Sequence, residues 1–271
     1  MKEVVICIPV YKSIPNSNEL RSFNQCLKVL GVHKICVVTF KSLNIEFYTK
    51  IFEQNKISFD VQFFQKYFFQ SIHGYNKLLV SRKFYKKFED YRYLLIYQLD
   101  AYVFRDELLA WCSQGFSFIG APWVDVNVGI NQWQVGNGGL SLRNVKDHLR
   151  VLHTFSFING FLPMVKKAFR NESMLLKKIF ALLLVPMKFI LDNNTFFLLN
   201  HFNNNEDYFW SVICSRNFNW YVIPDAKTAM RFSFETQPML LYEIYGNLPF
   251  GCHAWEKRDP LFWSEKFETC G

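Results

Sequence analysis

The feature of this chain that most constrains its fold is an apolar run at residues 93–99 that ends in a carboxylate, Asp100. A short run of this kind predicts a strand buried on both faces of a parallel sheet. The carboxyl ends of such strands line the ligand crevice of open α/β sheets, and an acid there can hold a divalent cation against a diphosphate. The other interpretation is that Asp100 caps a helix beginning near Asp106. This stretch alone supports both.

Strand-like and helix-like segments alternate around this run. The order β-α-β-α-β in the first part of the chain predicts a parallel, right-handed, Rossmann-like arrangement. The glycine fingerprint of dinucleotide-binding folds is absent after the first strand, and the P-loop motif is absent throughout, so an NAD-type dehydrogenase and a P-loop NTPase are disfavoured. The predicted strands are residues 4–8, 34–40 and 58–64, and the predicted helices are residues 18–30, 45–54, 74–88, 107–112 and 145–152.

Composition allows a large core and favours anionic partners. Half of the 271 residues are hydrophobic and 18% are aromatic, which suits one large α/β domain and excludes a disordered chain. Lys and Arg outnumber Asp and Glu by 31 to 23, and the net charge of +8 suits nucleotide diphosphates, anionic lipid surfaces or nucleic acid. The seven cysteines form no C-x-x-C pair and residues 1–10 have no secretory pattern, so we expect reduced thiols and a cytoplasmic protein.

Residues that follow the predicted strands are candidate ligand contacts. Pro9 ends the first strand and Tyr11 follows it, where an aromatic ring can stack on a base or lie on the sheet edge. Tyr75 and Asn76 lie at the start of a predicted helix, in a position to face a ligand. The glycines of residues 136–143 permit close approach of backbone to a ligand, although a tight turn before a strand explains them equally well.

Two neighbouring acids, Glu206 and Asp207, begin a predicted helix in the second half of the chain. Asn205 before them is a good N-cap, and acids in a first turn suit the helix dipole, so capping alone can explain the pair. Near the C-terminus His253 is isolated in the sequence, and such a histidine is more often structural than a ligand. The predicted late strands are residues 220–223 and 226–232.

Residues 161–191 combine long apolar runs with six basic residues and one acid, Glu172. The segment 175–191 is too short and too charged for a transmembrane helix, which needs about 20 apolar residues. A basic amphipathic helix lying in a membrane interface fits the pattern better, and the alternative is an inserted helical pair packed on the domain. The basic residues are Lys166, Lys167, Arg170, Lys177, Lys178 and Lys188.

The order of these features resembles the GT-A glycosyltransferases: a strand-end acid, a glycine pair, two acids at a helix start and a late histidine. The likeness is closer still to an uncharacterised bacterial family, catalogued as a domain of unknown function and assigned to that superfamily. It spans most of the chain and leaves residues 154–202 uncovered. The segments that carry it are 97–104 (YQLDAYVF), 119–123 (IGAPW), 136–143 (GNGGLSLR) and 251–255 (GCHAW).

The resemblance implies an α/β, GT-A (Rossmann-like) fold with a mostly parallel sheet flanked by helices in a single domain, residues 1–271. Residues 1–105 would form the nucleotide-binding half and residues 106–271 the acceptor half, with a helical insertion at about 154–202. The implied enzyme is an inverting hexosyltransferase that moves a sugar from a UDP-linked donor to a glycan or lipid-linked acceptor in bacterial surface polysaccharide assembly. The basic insertion suits a lipid-linked acceptor at the inner face of an anionic membrane.

The resemblance also implies roles for individual residues. In that superfamily a D-x-D pair of carboxylates holds Mn²⁺ or Mg²⁺ on the diphosphate, and a C-terminal histidine completes the site. Asp100 and His253 match those metal ligands here, but Tyr102 stands in place of the second acid. Asp207, with Glu206 as the second choice, matches the catalytic base of inverting members. The implied nucleotide-sugar contacts are Pro9, Tyr11, Tyr75, Asn76, Asp100, Ala101, Tyr102, Asn137, Gly138 and Gly139.

Two other classes of function fit parts of the sequence. A nucleic-acid-binding module would use the positive charge and the aromatic residues, but the basic residues are scattered over helices and the insertion rather than interleaved with aromatics on one sheet. We therefore expect no nucleic-acid partner. A catalytically inactive GT-A scaffold would explain the missing second acid, and release of nucleotide from a nucleotide sugar distinguishes a working transferase from it.

Overall fold

A six-stranded sheet forms the centre of the protein, of which the computed structural model describes residues 1–158, 163–166, 170 and 175–269. Its strands are β1 (Lys2–Pro9), β2 (Lys34–Thr39), β3 (Phe59–Phe63), β4 (Tyr91–Tyr97), β6 (Phe118–Ile119) and β9 (Leu140–Asn144). They lie in the order β3-β2-β1-β4-β9-β6, and only β9 runs antiparallel to its neighbours. The prediction of a mostly parallel sheet flanked by helices is confirmed.

The strands contribute alternate side chains to two apolar cores, one on each face of the sheet. Ile6 and Leu95 lie in the first core, and their neighbours Cys7 and Ile96 lie in the second. The helices of this part of the chain are α1 (Ser17–Leu30), α2 (Glu46–Gln54), α3 (Ile72–Leu79), α4 (Arg82–Lys86), α5 (Leu108–Ser113) and α6 (Val145–His153). The first core packs against α1, α2 and α5, and the second packs against α3, α4 and α6.

The helix predicted over residues 74–88 is instead two short helices, α3 and α4. The first begins earlier than predicted, because the Ser71 hydroxyl accepts a hydrogen bond from the backbone N–H of Gly74 and so caps a helix that starts at Ile72. Ser81 interrupts the predicted helix: its hydroxyl donates to the Leu78 carbonyl and accepts from the N–H of Phe84, which caps α4. Local side-chain bonding of this kind competes with the continuous helix.

Smaller elements complete the fold, and one of them brings His253 to the central sheet. They are β5 (Ala101–Val103), β7 (Pro122–Trp123), β8 (Gln134–Val135), β10 (Ser233–Phe234) and β11 (Gly251–His253). A three-stranded sheet has the order β10-β11-β5, and in its register His253 pairs with Ala101. This pairing places the histidine beside Asp100, although the two are far apart in sequence.

The C-terminal helices correct one sequence prediction. They are α7 (Leu175–Leu191), α8 (Thr195–His201), α9 (206–217), α10 (Ala226–Phe232), α11 (Pro238–Tyr245) and α12 (Pro260–Thr269). Within α9, Glu206–Tyr208 and Ser215–Asn217 are α-helix, and Phe209–Cys214 between them is π-helix. The predicted strand at 226–232 is the helix α10, because the Asp225 side chain accepts from the N–H of Thr228 and caps it. The predicted strand at 220–223 is wrong as well, since these residues form a turn and an irregular segment.

The segment between α6 and α9 contains the helices α7 and α8 and, outside them, irregular stretches at residues 154–158, 192–194 and 202–205. It is closed at its base by a β-bridge between Phe157 and Asn194 and by a hydrogen bond from the Thr195 hydroxyl to the Thr154 carbonyl. Lys166, Arg170 and Lys188 are exposed; Phe161, Lys167 and Glu172 lie outside the described residues, as do the side chains of Lys177 and Lys178. Among the described residues, no helix combines the length and the apolar character needed to cross a membrane.

Candidate active site

A cavity of about 1000 Å³ opens at the carboxyl ends of β1 and β4. Pro9 ends β1, and Gln98, Leu99 and Asp100 follow β4, so the sheet places these residues in the cavity wall. This is the position predicted for a ligand crevice. The sequence-predicted site residues that line the cavity are Pro9, Tyr11, Tyr75, Asn76, Asp100, Asn137, Gly138, Gly139, Glu206, Asp207 and His253. That they bind a ligand stays a prediction.

Two predicted ligand contacts, Ala101 and Tyr102, do not line this cavity. Both are buried in β5. The Tyr102 ring stacks on the ring of Phe267, with 4.1 Å between centroids, inside an apolar cluster. The residue that stands in place of the second acid of D-x-D is therefore a core residue, and it adds no ligand to the cavity.

The carboxylate of Asp100 lies between two cationic side chains. His253 Nε2 is 3.0 Å from Asp100 Oδ1, and Lys257 Nζ donates to Asp100 Oδ2 at 2.9 Å. His253 Nε2 also lies 3.2 Å from Gln98 Oε1, and His253 Nδ1 lies 3.5 Å from Glu235 Oε2. Burial raises the pKa of Asp100, but the hydrogen bonds and charges of His253 and Lys257 outweigh it and hold that pKa well below its usual range. Burial lowers the pKa of His253, but its hydrogen bonds with Asp100 and Glu235 outweigh it and raise the pKa to about 9, so the imidazole is protonated at neutral pH.

The residues around Asp100 do not form a ready site for a divalent cation. Both oxygens of the Asp100 carboxylate already have a partner, His253 Nε2 at Oδ1 and Lys257 Nζ at Oδ2. Within the part of the chain that the structure describes, no group of three or more His, Cys, Asp or Glu side chains is placed to hold a metal ion. The predicted Mn²⁺ or Mg²⁺ ligands contact each other instead, and use of a cation stays a prediction.

Gly138 and Gly139 allow the backbone to pack directly against two functional side chains. A Cβ atom at Gly138 would lie 2.0 Å from Glu206 Oε1, and one at Gly139 would lie 1.9 Å from His253 Nε2. Neither position can hold a side chain without displacing its neighbour. Asn137 before them has a left-handed φ of 66°, a conformation that asparagine tolerates better than most residues. Close approach of the backbone to the side chains of Glu206 and His253 therefore explains Gly138 and Gly139.

Glu206 forms a fully buried, bidentate ion pair with Arg143. Arg143 Nη1 and Nη2 donate to the two carboxylate oxygens of Glu206 at 2.8 and 2.7 Å. The guanidinium also donates to the Tyr85 hydroxyl and to the Ser141 hydroxyl, each at 3.0 Å. Burial raises the pKa of Glu206, and the Arg143 charge opposes that rise. With both oxygens held by the guanidinium, Glu206 is part of the cavity's framework.

Asp207 is a carboxylate of the cavity wall that has no ion-pair partner among the described residues. Its Oδ2 accepts from the backbone N–H of Asn137 at 3.0 Å, and its Oδ1 accepts from the N–H of Tyr208 at 2.8 Å. Burial raises the pKa of Asp207, while these two hydrogen bonds and the charge of Arg143 oppose the rise. A carboxylate of raised pKa in a cavity is suited to accept a proton from a ligand.

The cap of α9 comes from another helix, and not from the residue predicted to supply it. Asn205 is the N-cap residue, but its side chain makes no capping bond. Instead, Asn76 of α3 accepts from the backbone N–H of Glu206 at 3.3 Å and donates to the Asn205 side chain at 3.3 Å. Asn76 therefore joins α3 to the start of α9, which fixes Glu206 and Asp207 relative to the sheet.

Tyr11 lies at the mouth of the cavity with 51% of its surface exposed. Its hydroxyl donates to Glu19 Oε1 at 3.1 Å, and the other oxygen of Glu19 accepts from the N–H of Asn16 and pairs with Lys12. The exchange between Asn16 and Glu19 is a capping box, which holds the start of α1 and the loop carrying Tyr11 together. The bond to Glu19 thus holds the Tyr11 side chain in place, and its ring remains accessible to a ligand.

The cavity wall also carries polar atoms without a partner. Asn137 Nδ2 and Thr236 Oγ1 are buried and make no hydrogen bond with any described residue. Leaving such groups unpaired costs about 1–3 kcal/mol each, so native proteins rarely bury them without a use. Both residues belong to the lining of the cavity, so these atoms are candidates to pair with a ligand.

Several residues that line the cavity were not among the predicted site residues, and Gln98, Glu235, Lys257 and Arg258 are four of them. Gln98 stands next to the strand-end acid, and that adjacency was an available signal. Lys257 and Arg258 follow the segment 251–255 by two and three residues, and a basic pair after a histidine was an available signal as well. No sequence pattern around Glu235 indicates a site residue. It reaches the cavity because β10, which precedes it, pairs with β11.

The fold is similar to those of several solved glycosyltransferases. Mouse xyloside xylosyltransferase 1, in its apo form, matches with a TM-score of 0.50 and 11% identity over 93% of this chain and 97% of that one. A glycosyltransferase involved in glycosylation of the major capsid of PBCV-1 matches with a TM-score of 0.43 and 11% identity, over 98% and 99%. Core-mannan synthase A from Aspergillus fumigatus, in a Mn/GDP form, matches with a TM-score of 0.40 and 8% identity, and the match spans 54% of this chain and 60% of that one. At these identities the likeness shows the fold alone.

The family of the chain follows from its sequence. Residues 58–253 match the model of the family described as "Protein of unknown function (DUF5672)". The chain belongs to that family. No curated protein sequence matches it significantly.

Proposed function

We propose that this protein is a glycosyltransferase that moves a sugar from a nucleotide-sugar donor to an acceptor hydroxyl. The observation that carries the proposal is that one cavity contains both a cationic group and a carboxylate without an ion-pair partner. The cationic side chains of His253 and Lys257 stand at the end of β4, and the unpaired carboxylate of Asp207 stands across the glycine pair. Sugar transfer requires both, because charge develops on the departing nucleoside diphosphate while the acceptor hydroxyl loses a proton.

Asp207 is the proposed base. A single in-line displacement, which inverts the anomeric centre, needs one carboxylate within reach of the acceptor hydroxyl. The backbone N–H groups of Asn137 and Tyr208 hold the Asp207 carboxylate in place, and neither of them neutralises its charge. Glu206, the second choice from the sequence, is less suited, because both of its carboxylate oxygens accept hydrogen bonds from Arg143.

The finer assignments are proposals of the same kind. We assign the donor as UDP-linked, with its base near Pro9 and Tyr11 and its sugar along Asn137, Gly138 and Gly139. The acceptor would be a glycan or a lipid-linked sugar of bacterial surface polysaccharide assembly, and the transferred sugar a hexose. Exposed apolar side chains on α7, with Lys188 among them, support a position at the inner face of an anionic membrane, where basic residues contribute about 1 kcal/mol each.

A panel of UDP-, GDP- and CMP-sugars tests the proposal. We expect the parent protein to release nucleotide slowly from one donor class without acceptor. Asp207→Asn should still fold and bind that donor, and transfer should fall about 10²–10⁴-fold, because a positioned base is lost. Asp192→Asn is the matched control, since Asp192 is exposed and lies outside the cavity. Its transfer rate should equal that of the parent.

The outcomes separate the proposal from its rivals. Normal transfer by Asp207→Asn would move the base elsewhere, and product with the donor's anomeric configuration would remove the inverting assignment. A parent protein that binds nucleoside diphosphate but releases no nucleotide from any sugar would be an inactive scaffold. Salt-sensitive retention on DNA without binding of any nucleoside diphosphate would favour the nucleic-acid-binding module.

A further inference from the structure

We propose that the diphosphate of the donor is bound by Lys257 and Arg258 directly, with Asp100 as the residue that positions Lys257 and His253, and that no divalent cation is needed to bind it. This inference rests on the proposed glycosyl transfer and specifies how that cavity neutralises its leaving group. It differs from the arrangement expected from the sequence, in which Asp100 reaches the diphosphate through Mn²⁺ or Mg²⁺.

The first argument is the position of the Lys257 ammonium. Its Nζ lies 2.9 Å from Asp100 Oδ2. A lysine in this place supplies a compact positive charge with three N–H donors, of which Asp100 takes one. The side chain of Lys257 lines the cavity and is 64% exposed, so its remaining donors are accessible to a ligand.

The second argument is the ligand set. The second position of the D-x-D pattern is Tyr102, packed in the core against Phe267, so it offers no second carboxylate to a cation. Asp100 is left as a single carboxylate, with His253 on Oδ1 and Lys257 on Oδ2. Its role in this geometry is to orient two cationic side chains.

The third argument is that the loop carrying these cations is built to hold them. Trp255 is buried and its indole N–H donates to the Ser22 hydroxyl of α1 at 3.1 Å. The backbone N–H groups of Lys257 and Arg258 both donate to the carbonyl of Ala254 at 2.9 Å, which curls the chain into a tight turn. Ala254 itself has a left-handed φ of 51°, a strained conformation for a residue with a side chain. The turn directs two consecutive basic residues to the cavity wall.

The experiment is calorimetric titration of UDP and of inorganic pyrophosphate into the intact protein, with a chelator and again with Mn²⁺. Pyrophosphate isolates the diphosphate contact from the base and the sugar. The variants are Lys257→Gln, Lys257→Arg and, as a matched control, Lys227→Gln, since Lys227 is an exposed lysine of α10 outside the cavity. Thermal unfolding of each variant shows whether it is folded.

We expect the parent to bind both probes equally well with chelator and with Mn²⁺. Lys257→Gln should bind both about 10- to 100-fold more weakly in either condition, because a charge-assisted hydrogen bond contributes about 1.5–3 kcal/mol. Lys257→Arg should recover most of the affinity, and Lys227→Gln should match the parent.

Other results overturn the inference or the function separately. Binding of UDP by the parent that requires Mn²⁺ and is abolished by the chelator overturns the inference and leaves glycosyl transfer standing, as does parent-like affinity of Lys257→Gln. Pyrophosphate bound through Lys257 by a protein that binds no nucleoside diphosphate and cleaves no nucleotide sugar overturns the function and leaves the anion site standing. A parent that binds neither probe in either condition overturns both.

Discussion

At the scale of single residues, the buried pair of Arg143 and Glu206 holds the glycine segment in place. Glu206 Oε1 lies where a Cβ atom of Gly138 would be, and the Arg143 guanidinium also donates to the Gly138 carbonyl at 3.3 Å. Removing one partner of a fully buried pair leaves an uncompensated charge, which typically costs about 3–5 kcal/mol. The neighbour of this pair, Asp207, is held only by backbone N–H groups.

We therefore expect Glu206→Gln to lower the free energy of unfolding by about 3–5 kcal/mol, because it leaves the Arg143 charge buried and unpaired. Asp207→Asn should lower it by about 1 kcal/mol, because asparagine keeps one acceptor for the two N–H groups. Urea unfolding of the two variants measures the difference. Equal stability of Glu206→Gln and the parent would mean that the ion pair does not hold this wall of the cavity.

At the scale of elements, α7 exposes several large apolar side chains among its described residues. The exposed fractions of Leu183, Met187 and Ile190 are 72%, 53% and 58%. Exposed apolar side chains at spacings of three and four residues lie along one side of a helix, a pattern typical of helices that lie in a membrane interface.

A triple substitution of Leu183, Met187 and Ile190 to Asp tests this interpretation. We expect the parent to co-sediment with vesicles that contain phosphatidylglycerol, and the triple variant to remain in the supernatant, because burying each apolar side chain contributes about 1.5–3 kcal/mol. The matched control is Leu261→Asp, since Leu261 is 79% exposed on α12, away from α7. A parent that ignores anionic vesicles would contradict the proposed membrane position.

At the scale of the whole molecule, His148 lies where α6, α9 and the segment after α9 meet. It is fully buried, its Nδ1 is 2.9 Å from the Asn144 carbonyl oxygen, and its Nε2 is 3.2 Å from the Tyr221 hydroxyl. Its ring packs against Trp210 with 4.1 Å between centroids. Burial and the charge of Arg143 both lower the pKa of His148 well below its ordinary value, while the bond to Asn144 opposes them.

This depressed pKa predicts a loss of stability in mild acid. The unfolded chain binds a proton at His148 below about pH 6.5 and the folded chain does not, so the stabilisation present above that pH is lost as the pH falls. We expect the parent to lose about 1 kcal/mol more than His148→Gln does between pH 7 and pH 5.5, measured by urea unfolding at each pH. The same pH dependence in both proteins would show that another group titrates in this range.

The sequence by itself determined the order of strands and helices in the first half of the chain, because those signals are local. Apolar runs of strand length, helical spacing and a glycine at a helix end are readable within ten or fifteen residues, and the parallel half of the sheet follows from them. The prediction from sequence was wrong where a short apolar segment fits both the helical and the strand period. Residues 226–232 were predicted as a strand but form a helix, because Asp225 caps it.

The tertiary structure alone decided how the candidate site is charged. Asp100 meets His253 and Lys257 because β11 pairs with β5, and Glu206 meets Arg143 because α9 packs beside β9. Such pairings depend on strand register and helix packing between distant parts of the chain, and no local pattern encodes them. For the same reason a carboxylate that resembles a metal ligand in the sequence proves to be bound to two cationic side chains in the fold.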